Sequence, residues 1–158
     1  QRQMCIRDRL LIDVADYAHV PQGPGVVLIG HQSDYYLDVA DDRPGLLYSR
    51  KRGFDGDVEE GIVDAFRRAL GACKLLESES SLDFEFATGE LMFRVQDRLN
   101  APNDDATFEA FRPALEQAAS AFFGASPSME RVGGPREPFT VRIRTGADGS
   151  VADALGRA

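Results

Sequence analysis

The stretch that decides the fold is residues 25–52, GVVLIGHQSDYYLDVADDRPGLLYSRKR. Two runs of β-branched, aliphatic and aromatic residues flank the turn-forming sequence DDRPG at residues 41–45, and this pattern predicts a β-hairpin. The first run leaves two alternatives: one long strand with a bulge near Gly30, or two shorter strands with a turn at residues 31–34. We favour the second alternative, because it keeps the polar residues of that turn out of the core.

Two amphipathic helices are expected after this hairpin. Apolar residues recur every three or four positions over residues 57–77 and again after Asp104, which is typical of helices with one apolar face. Asp104 or Asp105 is suited to an N-cap, Gly124 to a C-cap, and Pro113 is expected to kink or restart the second helix. The predicted core residues are Phe66, Leu70, Phe93, Phe111, Leu115 and Phe122.

Alternating apolar and polar residues predict the remaining strands. They lie near residues 10–17, 82–86, 91–95 and 139–144, and the second and third of these are expected to form a hairpin. The first segment also fits the end of a helix, but we favour a strand. The order of elements contains strand–strand–helix twice. We therefore predict an α+β fold, an antiparallel sheet of five to six strands with two helices packed on one face.

The two ends of the chain are interpreted separately from this domain. Residues 1–9, QRQMCIRDR, resemble the translation of a sequencing-adapter read, a contaminant of assembled environmental sequence, and we interpret them as an artefact. Residues 10–145 are predicted to form a single domain, which suits the length of 158 residues. Residues 146–158 are rich in Gly and Ala and are predicted to be a flexible tail.

Charge and cysteine content restrict the classes of partner. The formal net charge is −8, so the chain is a poor general binder of nucleic acid, whose phosphates require a positive field. Apart from Cys5 in the adapter-like segment, Cys73 is the lone cysteine, which favours a reducing, cytoplasmic location. No apolar run reaches the length of about 18 residues that a membrane-spanning helix needs.

The first candidate site is a sheet face that carries arginines and tyrosines opposite the apolar side of the strands. Such a face suits a phosphate, a carboxylate or a stacked ring. Acidic residues on the same side can also pair with these cations across the strands, which would leave an ordinary solvated surface. The candidate ligand-binding residues are Tyr48, Arg50, Arg52, Arg94, Arg98 and Arg142, with Arg144 beside them.

The second candidate site is catalytic and consists of His31, Asp34 and Tyr35. A histidine beside a carboxylate can act as a general acid–base. The spacing between His19 and His31 matches no compact zinc-binding pattern, so no metal site is predicted. No cofactor-binding or nucleophile motif is present, and no cofactor is predicted.

Two functional hypotheses follow. The favoured one is a small soluble, bacterial-type binding or adaptor module that holds an acidic protein or a small anion on the arginine-bearing face. The alternative is an enzyme with His31 as general acid–base, assisted by Asp34 and Tyr35. An enzyme requires a concave site where polar groups converge on His31, whereas a binding module requires cations that are not already paired.

Deleting residues 1–9 is expected to leave the melting temperature unchanged, because the adapter-like sequence contributes nothing to the predicted core. Thermal unfolding of the full and shortened chains, compared by circular dichroism, checks this prediction. A clearly lower melting temperature of the shortened chain would show that the segment packs against the fold.

Overall fold

A computed structural model describes residues 11–16, 25–38, 45–79, 85–124, 126–146 and 149–158. These residues form seven antiparallel strands and three helices, which confirms the α+β class. The chain divides into two compact units, Gln1–Asp57 and Val58–Ala158, and each unit has its own sheet. The prediction of one sheet of five to six strands with two helices is therefore wrong in its numbers of sheets, strands and helices.

The first unit is a meander of four strands, in which each strand pairs with its neighbour in sequence. The strands are β1 (Leu11–Asp16), β2 (Val26–Gly30), β3 (Ser33–Asp38) and β4 (Gly45–Arg50). Val27 and Tyr35 are its buried apolar residues among those described. The alternating runs of the opening stretch thus became neighbouring strands, as the hairpin pattern predicts.

The connection between β2 and β3 contains only His31 and Gln32. Two short strands form here, so the favoured alternative is confirmed. The expectation that residues 31–34 stay out of the core is wrong for Ser33 and Asp34, which are 1% and 8% exposed. The turn takes only two residues, and the next two therefore enter the ladder with β4.

The described residues of the second unit form a three-stranded sheet and three helices. Its elements are α1 (Val58–Glu77), β5 (Glu90–Val95), α2 (Asp105–Phe123), β6 (Ser128–Val132), β7 (Phe139–Arg144) and α3 (Val151–Arg157). β7 lies between β5 and β6 and pairs antiparallel with both.

The two faces of this sheet differ in chemistry, because successive side chains alternate between them. On one face, Phe139, Val141 and Ile143 of β7 are fully buried, and Phe93 of β5 lies opposite Val141. The other face carries Glu90, Met92, Arg94, Glu130, Arg142 and Arg144. The second unit therefore has one apolar face and one face that carries charge.

Aromatic rings join α2 to the apolar face of the sheet. The ring centroid of Phe111 lies 6.0 Å from that of Phe93 and 5.3 Å from that of Phe139. The three helices also pack against one another. Among the predicted core residues, Leu70, Leu115 and Phe122 are buried, while Phe66, Phe93 and Phe111 are half-buried.

The two ends of α2 agree with the capping residues predicted from the sequence. The carboxylate of Asp104 accepts a hydrogen bond from the backbone N–H of Thr107 at 2.8 Å, and Gly124 ends α2 in the left-handed conformation with φ of 71°. Pro113 lies within α2. The predicted restart at Pro113 is wrong, since the helix continues to Phe123.

The hairpin predicted for residues 82–86 and 91–95 lies partly outside the described residues, and the described part shows a long-range pairing. β5 pairs with β7, and residues 85–89 form no strand. β6, which the sequence analysis did not predict, completes the sheet on the other side of β7. Alternation identifies a strand and its two faces, but it does not identify the strand that pairs with it.

The flexible tail predicted for residues 146–158 contains α3. Ser150 and Asp153 form a capping box at its N-terminus, and Val151 and Ala154 are buried. The helix packs against both α1 and α2. Small residues suggested flexibility, but the capping box and the two buried side chains are those of an ordered short helix.

Some predictions fall outside the described residues. They concern the adapter-like residues 1–9, residues 41–44 of the first turn, and residues 82–84. Within the described ranges, no helix combines the length and hydropathy that crossing a membrane requires.

Replacing Phe122 with Ala is expected to lower the free energy of unfolding by about 3–5 kcal/mol, because the buried ring would leave a cavity. Met92→Ala, at a side chain of the second unit that is 51% exposed, is the control and should cost less than about 1 kcal/mol. Urea titration followed by helical circular dichroism measures both. Equal losses would contradict the placement of Phe122 in the core.

Candidate functional site

The side chains of His31, Asp34 and Tyr35 are not gathered into one site. His31 is exposed in the β2–β3 turn, and among the described residues its imidazole has no hydrogen-bond or ion-pair partner. Asp34 and Tyr35 are consecutive residues of β3, so their side chains lie on opposite faces of the sheet. The predicted catalytic residues therefore do not converge on a common point.

Asp34 is held by Lys51. The Nζ atom of Lys51 lies 2.7 Å from Oδ1 of Asp34 and donates a hydrogen bond to the backbone oxygen of Gly30 at 2.8 Å. The backbone N–H of Gly30 donates to Oδ1 at 3.2 Å, and the hydroxyl of Tyr36 donates to Oδ2 at 3.4 Å. Burial, together with the nearby Asp34 carboxylate, raises the pKa of Tyr36. This network ties the residue after β4 to the β2–β3 turn, and it occupies the carboxylate that His31 would need.

The predicted ligand-binding residues of the first unit are Tyr48, Arg50 and Arg52. The ring of Tyr48 packs on that of Tyr35, with centroids 5.2 Å apart. The guanidinium of Arg50 lies 4.6 Å from the ring centroid of Phe54, while Arg52 is exposed. Tyr48 and Arg50 thus make aromatic contacts within their own unit.

Arg142 and Arg144 of the second unit are paired with glutamates of the neighbouring strands. Arg142 lies 3.5 Å from Glu130 and 3.9 Å from Glu90. Arg144 lies 3.4 Å from Glu130 and 3.6 Å from Glu90. Glu130 is directly opposite Arg142 in the ladder, and Glu90 is directly opposite Arg144. The four side chains neutralise one another, so this part of the charged face offers a ligand no excess positive charge.

Arg94 and Arg98 are held in a different way. Nε of Arg94 donates to the hydroxyl of Thr140 at 3.1 Å, and Nη1 of Arg98 donates to the backbone oxygen of Arg136 at 2.8 Å. Neither arginine forms an ion pair with any residue that the structure describes. Each guanidinium is therefore oriented by a neutral acceptor and keeps its charge and its other N–H groups for a ligand.

Arg136 is a candidate binding residue that the sequence analysis missed. It is exposed in the turn GGPREP, residues 133–138, between β6 and β7, and within the described ranges it also lacks an acidic partner. The pairing of Val95 with Phe139 places this turn beside the end of β5. We call the surface of Arg94, Arg98 and Arg136 the arginine end. The residues around Arg136 are typical of a turn, and the sequence shows this. The sequence does not show which residues of other strands lie beside Arg136 in the fold.

The acidic side chains near the arginine end bind backbone N–H groups. Asp97 Oδ1 accepts from Leu99 N at 3.1 Å and from Asn100 N at 3.2 Å, and Glu137 accepts from Gly134 N at 2.9 Å. The hydrogen bond from the Asn100 side chain lowers the pKa of the Asp97 carboxyl. These carboxylates reduce the local positive potential, but they stabilise turns instead of pairing with the three arginines.

Asn103 and Arg131 lock the loop before α2 to the β6–β7 turn. The buried amide of Asn103 donates to the backbone oxygens of Val132 at 2.9 Å and Gly134 at 3.1 Å. Arg131 pairs with Asp105 at 2.9 Å. Both backbone segments that carry the arginine end are therefore fixed by hydrogen bonds, which favours a preorganised surface.

Other chemistry has little support in the residues that the structure describes. They contain no group of three or more His, Cys, Asp or Glu side chains suited to a metal ion. Cys73 is buried, and its burial raises the pKa of the thiol to about 12, which makes it a poor nucleophile at neutral pH.

No family model, curated protein or solved structure matches the chain. A functional proposal must therefore come from the geometry of the site.

Replacing Gly133 with Ala is expected to lower the free energy of unfolding by about 1–2 kcal/mol, the cost of a left-handed non-glycine residue. Gly133 has φ of 88°, and an added Cβ would also collide with the Glu137 carboxylate that holds the turn. Gly134→Ala is the control, because nothing lies within 4 Å of its added Cβ. Urea titration of both variants checks the prediction, and equal stabilities would contradict the described turn.

Proposed function

We propose that the second unit is a binding module that holds an acidic partner or a small anion at the arginine end. The observation that carries this proposal is the contrast between two sets of arginines on one small sheet. Arg142 and Arg144 are neutralised by Glu90 and Glu130, whereas Arg94, Arg98 and Arg136 have no acidic partner among the described residues.

The hydrogen bonds of Arg94 and Arg98 support binding for an entropic reason. A free arginine side chain loses about 0.5–1.5 kcal/mol of conformational freedom when a ligand immobilises it. Thr140 and the backbone of Arg136 already hold these two guanidiniums. Part of this conformational freedom is therefore lost on folding, and less is lost when a ligand binds. The donors that remain suit carboxylate or phosphate oxygens, which guanidinium groups bind through paired N–H groups.

The alternative, an enzyme with His31 as general acid–base, has weaker geometric support. His31 is exposed, the Asp34 carboxylate lies 2.7 Å from Lys51, and Tyr35 packs on Tyr48. No converging set of polar groups surrounds the imidazole within the described residues.

Neutralising one arginine of the arginine end is expected to weaken anion binding. Poly-L-glutamate and inorganic phosphate serve as probes, and binding is measured by calorimetry at low and high salt. Arg94→Gln, Arg98→Gln and Arg136→Gln should each raise the dissociation constant roughly three- to fivefold, as an exposed charge contact does. Each should also reduce the dependence of binding on salt concentration.

Two controls make this experiment decisive. Arg67→Gln removes the same charge from an exposed position of α1 and should leave binding almost unchanged. Thr140→Val keeps every arginine but removes the acceptor that holds Arg94, and it should weaken binding if orientation contributes. Binding of neither probe, or equal weakening by Arg67→Gln and Arg94→Gln, would overturn the proposal.

A further inference from the structure

Leu99 stands out among the apolar residues of the described part of the chain. It is the most exposed large apolar side chain there, at 93%, ahead of Ile12 at 61%. A single exposed leucine is common on protein surfaces and has no meaning by itself. Leu99, however, directly follows Arg98, whose guanidinium is oriented by the backbone of Arg136. An apolar side chain thus stands beside the arginine end.

The turn that carries Leu99 is fixed at both ends. The Asp97 side chain accepts hydrogen bonds from the backbone of Leu99 and Asn100 and from the Asn100 amide. The backbone oxygen of Asp97 also accepts from the N–H of Ala101 at 2.8 Å, and Ala101 is buried. A binding partner therefore meets Leu99 on an ordered backbone, so little backbone freedom is lost on association.

We propose that the arginine end takes an acidic polypeptide segment that also contains an apolar side chain, and that Leu99 packs against this side chain. The proposal rests on the function proposed above and names the class of partner. A free anion would bind to the arginines, but contact with Leu99 would add nothing to its binding free energy. A polypeptide with carboxylates beside a leucine or a phenylalanine would use both features, since protein interfaces combine an apolar centre with a polar rim.

A single-stranded nucleic acid fits less well. Its phosphates would meet the arginines, but its bases stack on aromatic side chains, and the nearby exposed side chain is aliphatic. The net charge of −8 also opposes a polyanion of high charge density. Binding of a nucleic acid is therefore the competing outcome from which the test below must distinguish peptide binding.

The test is a selection of short random peptides, displayed on phage, against the full chain. Parallel selections use the variants Leu99→Ser and Arg98→Gln. Leu75→Ser is the matched control, because Leu75 is also an exposed leucine but lies on α1. The peptides enriched on the unaltered chain are then synthesised, and their dissociation constants are measured for every variant, beside poly-L-glutamate and an oligothymidine.

The expected peptides combine Asp or Glu with Leu, Ile, Phe or Trp. Their dissociation constants should rise about tenfold with Leu99→Ser, because an apolar contact of this size is lost, and should not change with Leu75→Ser. Poly-L-glutamate should respond to Arg98→Gln but not to Leu99→Ser. The melting temperature of Leu99→Ser should equal that of the unaltered chain, since the side chain lies in water.

Two results would overturn the inference while the proposed function stands. One is enrichment of acidic peptides without apolar residues, and the other is equal binding of the enriched peptides to Leu99→Ser and the unaltered chain. If oligothymidine binds and no peptide is enriched, the partner class is wrong. If neither poly-L-glutamate nor any acidic peptide binds, the proposed function falls together with the inference.

Discussion

The pairing of β7 with both β5 and β6 is the constraint on which the second unit depends. Three residues of β7, Phe139, Val141 and Ile143, are fully buried. Burying them turns the alternate residues of all three strands to the opposite face. The same antiparallel register sets the end of β5 beside the start of β7. The arginine end therefore depends on the burial of an apolar strand, and the hydrogen bonds of Asn103 hold the neighbouring loop and turn together.

Charge on this sheet is divided by position along the strands. At one end, glutamates of both outer strands lie opposite Arg142 and Arg144, and the charges cancel. At the other end, Thr140 and a backbone oxygen accept hydrogen bonds from Arg94 and Arg98. Neutral acceptors orient a guanidinium without removing its charge.

Asp34 of the first unit, one of the predicted catalytic residues, is held by contacts that stabilise its own sheet. Asp34 is a buried acidic residue near a histidine, which is the pattern expected of an acid–base pair. Burial of an unpaired carboxylate is costly, and Lys51, Gly30 and Tyr36 satisfy this one. The ammonium group of Lys51 also bonds the backbone oxygen of Gly30. The cluster thus fastens β4 to the turn that contains His31, while the imidazole itself stays exposed.

Sequence alone determined several of the local elements of this protein, but not β6 or α3. The periodicity of apolar residues located α1 and α2, Asp104 and Gly124 marked the ends of α2, and the opening stretch defined β2, β3 and β4, because these signals act over a few residues. It also identified Arg94 as an exposed cation on a strand face. Arg98 is exposed as well, but it lies in the turn after β5. Tertiary structure decided which strands pair, that there are two sheets, and that α3 packs. It also decided that Arg142 is neutralised while Arg94 is not. Each of these depends on residues distant in sequence, such as Glu130 opposite Arg142 and Thr140 opposite Arg94, and alternation along one strand carries no information about the strand beside it.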